Sequence, residues 1–407
     1  MNFSWQLKKF GECAELIRDT CLPDEVEEAP YIGLEHIEEG TLRLLKVGNS
    51  NDVISTKSRF EPGDILFGKL RPYFRKVVRP SFSGVCSTDI WVVRAKHSTD
   101  QGYLFYWMAS QEFVNSATQA SEGTKMPRAK WDFLERIEKT VPPLPEQRAI
   151  AHILGTLDDK IELNSRMNQT LEAMAQALFE SWFVDFEPFR DQGMEESPLG
   201  EIPVGWRVAT MDGLGEVVCG KTPLTGDKEN YGGDIPFVTI PDMRNSVFVT
   251  HTTTYLSQKG AATQPKKLLP KFAVCVSCIA TPGLVAITSE PSYTNQQINS
   301  IICNSITSPY WCYLAVTGIR EEIITGGAGG SATLNLNKAE FSKLQVVKPD
   351  SETMQRFHNL VEPLFSQILS NNLQIITLAA IRDALLPKLL SGGIRVKDAE
   401  KFVEVKI

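Results

Sequence analysis

Several stretches of the 407-residue chain carry residue types at spacings that could do chemistry. Gly63-Asp64-Ile65-Leu66-Phe67-Gly68-Lys69-Leu70 approaches the phosphate-binding loop Gly-x-x-x-x-Gly-Lys-Ser/Thr. It fails at Leu70, where a hydroxyl must reach Mg²⁺, and its apolar interior reads as a strand, so no nucleotide site is expected. Cys275 and Cys278, with Cys303 and Cys312 downstream, have the spacing of a zinc knuckle. They lie in an apolar run without turn residues, and buried free thiols are expected instead. Asp158-Asp159-Lys160 has the composition of part of a nuclease carboxylate–lysine set but lacks an upstream acid, and it reads as a solvated helix face. His36, His97, His152, His251 and His358 share no metal-ligand spacing. There is no Gly-x-Ser-x-Gly, no dinucleotide fingerprint and no Asn-Pro-Pro-aromatic motif. The expectation is a chain with no catalytic residues, no metal and no cofactor of its own.

The positive candidates are for binding. Lys57, Arg59, Lys69, Arg71, Arg75, Lys76 and Arg79, with Tyr73 and Phe74 interleaved, suit phosphate contacts, and Arg can reach guanine edges bidentately. The same residues would equally serve as a solvated domain face. Bases further along are Lys221, Lys228, Arg244, Lys259, Lys266, Lys267 and Lys271. A second candidate is the loop Gly123-Thr124-Lys125-Met126-Pro127-Arg128, matched by Gly330-Ser331-Ala332-Thr333-Leu334-Asn335. Glycine with hydroxyl and amide side chains suits close approach to a base or phosphate; as a plain turn before a strand it needs no ligand.

What must position these residues is an internal duplication. A shift of 207 lays Asn164 on Asn371, Thr170 on Thr377, Leu171 on Leu378, Ala177 on Ala384 and Leu178 on Leu385. At 206, Pro30-Tyr31-Ile32 lies on Pro236-Phe237-Val238. A period near 200 means duplicated domains rather than a solenoid. The fold class expected is α/β (α+β), a globular domain followed by a long helix, twice over. The boundaries read as 1–141 first domain, 142–185 first helix, 186–205 linker, 206–347 second domain, 348–395 second helix and 396–407 tail. A 4-3 spacing selects Ile150, Leu154, Leu157, Ile161, Asn164, Asn168, Leu171, Ala175, Leu178 and Trp182 in the first helix. Its counterpart in the second is Phe357, Val361, Leu364, Ile368, Asn371, Ile375, Leu378, Arg382, Leu385 and Leu389. Both are seams of a coiled coil with Asn at one core position, which fixes register because a slip strands its amide. Two copies in one chain would pair antiparallel, giving about 38 residues or roughly 57 Å of rod. The alternative is that each helix packs only on its own domain.

Charge agrees with that division. The chain carries 42 Lys+Arg against 49 Asp+Glu, formally −7, which argues against a uniformly basic nucleic-acid coat. Residues 142–200 hold 4 bases and 11 acids, so the helix and linker alone account for the excess. Residues 1–40 hold 3 bases and 10 acids, whereas residues 41–79 hold 9 and 3. Sparse cysteine, a polar opening from Met1 to Phe10 and no run near 18 apolar residues predict a reduced, cytoplasmic protein that spans no membrane.

Three blocks carry a family resemblance. Val141-Pro142-Pro143-Leu144-Pro145-Glu146-Gln147-Arg148, Leu157-Asp158-Asp159-Lys160-Ile161, and Ser181-Trp182-Phe183-Val184-Asp185-Phe186-Glu187-Pro188 continued by Gly200-Glu201-Ile202-Pro203-Val204-Gly205-Trp206 resemble the specificity (S) subunits of type I restriction–modification systems. The start of the second helix departs, reading Lys348-Pro349-Asp350-Ser351-Glu352-Thr353-Met354-Gln355-Arg356. The resemblance implies that each globular domain reads half of a split, asymmetric sequence in double-stranded DNA. It implies that the helices set the spacer and dock two methyltransferase subunits, with restriction/translocase subunits joining for cleavage. S-adenosylmethionine, ATP and Mg²⁺ would belong to those partners. The other reading, from a different class, is a non-catalytic coiled-coil scaffold or regulatory binding protein without DNA specificity. DNA contacts do not carry over by motif. The residues expected there are Lys57, Arg59, Lys69, Arg71, Tyr73, Arg75, Lys76, Arg79, Thr124, Lys125, Arg128, Lys221, Lys228, Arg244, Lys266, Lys267, Ser331, Thr333 and Asn335. Those expected to pair the helices are Leu157, Ile161, Asn164, Leu171, Leu178, Leu364, Ile368, Asn371, Leu378 and Leu385.

Overall fold

The computed structural model describes residues 5–123, 125–326 and 335–399. The chain divides into two compact units, one of Met1–Leu163 with Ile375–Ile407, the other of Asn164–Gln374. Each therefore joins a globular segment to halves of two long helices, Leu144–Phe183 and Ser351–Leu390. No helix among the described residues is long and apolar enough to cross a membrane.

In the first unit an antiparallel sheet runs in the order Ala14–Ile17, Ile90–Ala95, Ile65–Gly68, Val77–Val78. The run that approaches a phosphate loop is its central strand. Alternation explains why it is apolar throughout: Ile65 and Phe67 face a helical layer, while Leu66 faces a second sheet, so both faces are buried. The turn before it, Glu61-Pro62-Gly63-Asp64, has Gly63 at φ +86°, and the Asp64 amide donates to the Glu61 carbonyl at 3.0 Å. The Asp64 carboxylate is clamped by Arg94 at 2.6 and 2.9 Å. The second sheet pairs Pro30–Ile32 in parallel with Gly84–Ser87. Against the first sheet lies helix Gln101–Ala109, whose Trp107 meets Phe10 edge-on at 5.2 Å.

The second unit repeats this plan. Its main sheet runs Gly215–Cys219, Ile298–Cys303, Val274–Ser277, Val285–Thr288, Phe248–Val249, and Tyr231–Val238 pairs in parallel with Tyr293–Thr294. Cys275 and Cys278 are three apart at the end of a strand. They enter different apolar clusters and cannot face one metal. All eight cysteines are free. The Pro/Gly/Glu-rich linker is not a loose connection. Met194–Ser197 and Gly200–Pro203 form a hairpin, and Phe189, Ile202 and Trp206 enter the core of the second unit.

Each long helix begins by a different device. Pro145 sits in the first turn of Leu144–Phe183, where its missing N–H satisfies nothing anyway. Buried Gln147 closes that turn, donating to the Pro142 carbonyl at 2.8 Å and accepting from the Asp100 amide at 2.8 Å. The second helix uses Asp350 instead, whose carboxylate accepts from the Thr353 amide and hydroxyl at 2.9 and 2.8 Å. Gln355, in the place of Gln147, lies exposed. The departure at Asp350-Ser351-Glu352-Thr353 thus exchanges a first-turn proline backed by an inward glutamine for a side-chain N-cap.

The helices pair along the seam, and the alternative that each packs only on its own domain fails, because the second half of each helix enters the other unit's core. In the first unit Leu157, Ile161, Leu378 and Leu385 are buried in one cluster with the domain helix. In the second, Ile368 is buried, and Leu171, Leu178 and Leu364 pack on the same core. Direction is antiparallel within each unit: Asp158 meets Arg382 and Glu146 meets Arg395 in the first, while Asn164 meets Gln374 and Phe183 meets Phe357 in the second. Asp158 is therefore not on a solvated face. It accepts from Arg382 at 2.7 Å and Tyr106 at 2.6 Å, partners far away in sequence.

The buried asparagines do not bond each other. Asn164 donates to Gln374 at 3.1 Å, and Asn371 donates to Asn168 at 2.8 Å while accepting from Gln367 at 2.7 Å. Asn371→Leu alone is expected to cost about 1–3 kcal/mol, because it strands the side-chain oxygen of Asn168 and the side-chain NH2 of Gln367. Asn168→Leu combined with Asn371→Leu should cost less than the two singles summed, in a double-mutant cycle measured by urea unfolding. Simple additivity would remove the coupling assigned to this pair.

Candidate nucleic-acid interface

The strand Ile65–Gly68 ends at Lys69, and the next residues zip onto a loop more than fifty positions away. The Lys69 amide donates to the Asp89 carbonyl at 2.9 Å, and the Lys69 carbonyl accepts from the Ala129 amide at 2.9 Å. Leu70 bridges Arg128, the Arg71 amide donates to the Pro127 carbonyl at 2.7 Å, and its guanidinium reaches the Lys125 carbonyl at 3.2 Å. Two sequence candidates, the basic segment and the Gly123–Arg128 loop, thus form one surface. Beside it opens a groove of about 590 Å³ lined by Arg18, Lys69, Thr88, Arg128, Lys130 and Trp131. Arg128 is held bidentately by Asp89 at 2.8 and 3.2 Å, and Lys130 pairs with Glu122. Arg18 and Lys69 form no ion pair among the described residues, leaving two cations facing an aromatic floor.

Other members of the basic segment turn inward. Lys57 is only 3% exposed, its ammonium donates to the Ser55 carbonyl at 2.6 Å and hydroxyl at 2.8 Å, and burial lowers its pKa. Arg75 donates to the Ala109 carbonyl at 2.7 Å and pairs with Asp383 at 3.3 Å. Lys76 donates to the Leu34 carbonyl at 2.8 Å. Arg79 lies over the Phe105 ring at 5.6 Å, and Arg59 faces Asp19 at 3.6 Å. Tyr73 is exposed and leans on Phe74. Lys57 is buried from its own strand, Lys57–Phe60, while Arg71 and Arg75 both adopt left-handed backbone, φ +50°, at the two ends of the turn Pro72–Phe74. Lys57, Arg75 and Lys76 hold the domain together rather than lining the groove.

The second unit builds the same junction with other side chains. The Cys278 amide donates to the Gln297 carbonyl at 2.9 Å, the Cys278 carbonyl accepts from the Leu336 amide at 3.0 Å, and Ile279 bridges Asn335. Cys278, Ala280 and Asn335 stand in the places of Lys69, Arg71 and Arg128, and Ala280 has the same left-handed backbone at φ +65°. Thr124, Ser331 and Thr333 lie outside the described residues. Lys228, Arg244, Lys266 and Lys267 stand on or beside three separate turns.

What the face holds instead is a set of amides. The Lys221 amide donates to the Thr294 carbonyl at 3.0 Å, and Thr222 bonds the Gln296 side chain at 2.5 Å. Asn295 donates to the Gln297 side chain at 3.1 Å. The two strands' ends touch because residue 220 is glycine: a Cβ there would lie 2.1 Å from the Asn295 carbonyl. This cluster escapes a reading of the sequence by charge. Its signal is three consecutive amide side chains, Asn295-Gln296-Gln297, just before a strand. Asn and Gln offer a paired donor and acceptor, which suits adenine edges, whereas Arg and Lys suit guanine and phosphate. Among the described residues no group of three His, Cys, Asp or Glu is placed to hold a metal.

Comparison with known proteins follows the same two-part division. The type I restriction modification DNA specificity domain matches the chain twice, over residues 3–173 and 203–378. The type I restriction enzyme HindI specificity subunit of Haemophilus influenzae is 36% identical over 404 residues, covering 83% of this chain and 88% of that protein. The type I restriction enzyme MjaIX specificity subunit of Methanocaldococcus jannaschii is 28% identical over 302 residues, 73% of this chain and 69% of that one. Among solved structures, the type I restriction-modification system S subunit from M. genitalium shares the fold, with a TM-score of 0.59 at 14% identity over 95% of this chain and 96% of that chain. With its domain matched twice and its repeat built twice on one backbone plan, the chain belongs to the type I restriction–modification DNA specificity family.

Proposed function

We propose that this chain is the non-catalytic specificity subunit of a cytoplasmic type I restriction–modification complex, with each domain reading one half of a split, asymmetric DNA site. The observation that carries the reading is one junction built twice with different chemistry. Lys69, Arg71, Lys125 and Arg128 stand on one copy, and Lys221, Thr222, Gln296 and Asn335 on the other. A symmetric reader would present the same groups twice. Two unlike faces on one scaffold suit an asymmetric target.

On this reading the two 40-residue helices, on the order of 60 Å each at 1.5 Å per residue, set the spacer between half-sites. They also dock two methyltransferase subunits, and restriction/translocase subunits join for cleavage. S-adenosylmethionine, ATP and Mg²⁺ are used by those partners.

Cells that carry the chain with its methyltransferase partner are expected to methylate a two-part motif, read by methylation sequencing. Absence of any split motif sinks the reading. In the same complex, Gln296→Ala should relax bases in one half of the motif and leave the other half unchanged. Lys69→Ala with Arg71→Ala should weaken binding and flatten the salt dependence, by about 0.9 in slope for each phosphate no longer neutralised. An unchanged slope would place the DNA-facing surface elsewhere.

A further inference from the structure

The duplication poses a question of partner choice. Helix residues 144–163 pack on 375–390, but under the 207-residue shift the stretch 168–183 is the counterpart of 375–390. A second copy of this chain therefore offers a competing segment of similar pattern. We propose that Arg382, with Asp158 and Tyr106, is a pairing lock that admits the second long helix at this place and rejects the first long helix of another copy.

The lock is a charged set inside an apolar seam. Arg382 is 2% exposed. Its guanidinium donates to Asp158 at 2.7 Å, to the Thr41 carbonyl at 3.1 Å and to Asp383 at 3.1 Å. Tyr106 donates to the other Asp158 oxygen at 2.6 Å, and Asp383 also receives Arg75 at 3.3 Å. The arginine's donors are thus spent on fixed acceptors from a loop and both helices.

The equivalent junction of the second unit is built differently. Phe365 replaces Asp158 and Ala175 replaces Arg382 in the repeat, and both are fully buried in one cluster. Phe365 stacks on Tyr310 at 4.6 Å and meets Tyr313 edge-on at 5.8 Å. Tyr313, the counterpart of Tyr106, turns its hydroxyl to Glu172 at 2.9 Å. The two junctions are therefore not interchangeable. Residues 168–183 of another copy, placed against 144–163, would set Ala175 opposite Asp158 and leave the carboxylate without its cation. Residues 375–390 in the reciprocal place would bury Arg382 against Phe365 and Tyr310 with no acid. Arg382 is the buried member of the pair, at 2% side-chain exposure against 24% for Asp158, so burying it without an acid is the costlier mismatch and selects the partner.

The test uses the full chain, refolded from denaturant as an equal mixture of affinity-tagged and untagged copies. Wild type should co-capture the untagged copy only at background. Asp158→Phe with Arg382→Ala gives the first junction the second one's chemistry and should raise co-capture at least about tenfold through swapped pairing. A variant that melts cooperatively yet stays at background overturns the lock. Should that variant not fold, Ala175→Arg decides: alone it should lower Tm by roughly 5 °C or more, and adding Phe365→Asp should restore most of the loss. No recovery would show that the two junctions are not equivalent and would overturn the proposal as well.

Discussion

Each half of each long helix must satisfy two neighbours with one apolar stripe, a globular domain on one side and the other helix on the other. A coiled-coil seam of two positions in seven faces a partner helix and nothing else. Here the stripe is wider, because Ile153 joins Ile150, Leu154 and Leu157, and Ile381 and Leu386 join Leu385 and Leu389, in one cluster with Tyr103 and Trp107. Domain docking and helix pairing then share the same buried side chains. Neither can be released without exposing the other's core, which makes the helix pair part of each unit's interior rather than an appendage.

A shared interior of this kind leaves the rest of each domain free to differ. The junctions at Lys69 and Cys278 are held by backbone hydrogen bonds of the same pattern, 2.9 Å to Asp89 and Gln297, and 2.9 and 3.0 Å from Ala129 and Leu336. Amides and carbonyls set that geometry, and the side chains are not consulted. Lysine can therefore become cysteine, and arginine alanine or asparagine, with no change of scaffold. Only the left-handed position is demanding, and it holds Arg71 in one copy and Ala280 in the other. A non-glycine residue in left-handed backbone is retained there against a local preference for glycine, consistent with the loop pairing overdetermining the backbone.

The architecture is legible in the sequence because it rests on periodicity, which needs no partner to be recognised. The helices follow from Pro-poor runs with 4-3 spacing, and the strands from apolar runs such as Ile65-Leu66-Phe67 with turn residues around them. The site is legible only in part. Lys69, Arg71, Lys125 and Arg128 are separate candidates along the chain and meet in the fold. Lys57, Arg75 and Lys76 carry the same charge in the same segment and turn inward. Nothing in a linear basic segment tells the two groups apart, since the division follows from strand pairing at Lys57 and from left-handed turns at Arg71 and Arg75 that composition does not announce. Asp158 reads as solvated for a related reason: its cation lies 224 positions away. Arg382 is the available clue, an arginine in a seam otherwise apolar or amide, which requires a buried acid nearby.

Charge placement bears on how such a chain would hold DNA. The acid excess of residues 142–200 sits on the first long helix and the hairpin, with Glu180, Asp185, Glu187 and Glu196 exposed. In the first unit's groove, Arg128 and Lys130 are already matched by Asp89 and Glu122, so only part of its positive charge is unspent. The second unit's face offers one lysine beside amides. Counterion release scales with the phosphates neutralised, so on the proposed reading these faces would supply only part of the salt-dependent affinity that dominates nonspecific binding. Amides and hydroxyls work the other way. Each loses water on docking and regains its hydrogen bonds only against a matching base edge, so a mismatch leaves it unpaired. On that reading discrimination would be strong where attraction is weak. On the proposed reading the cationic hold on the duplex falls to the partner subunits, and this chain decides where that hold is allowed to close.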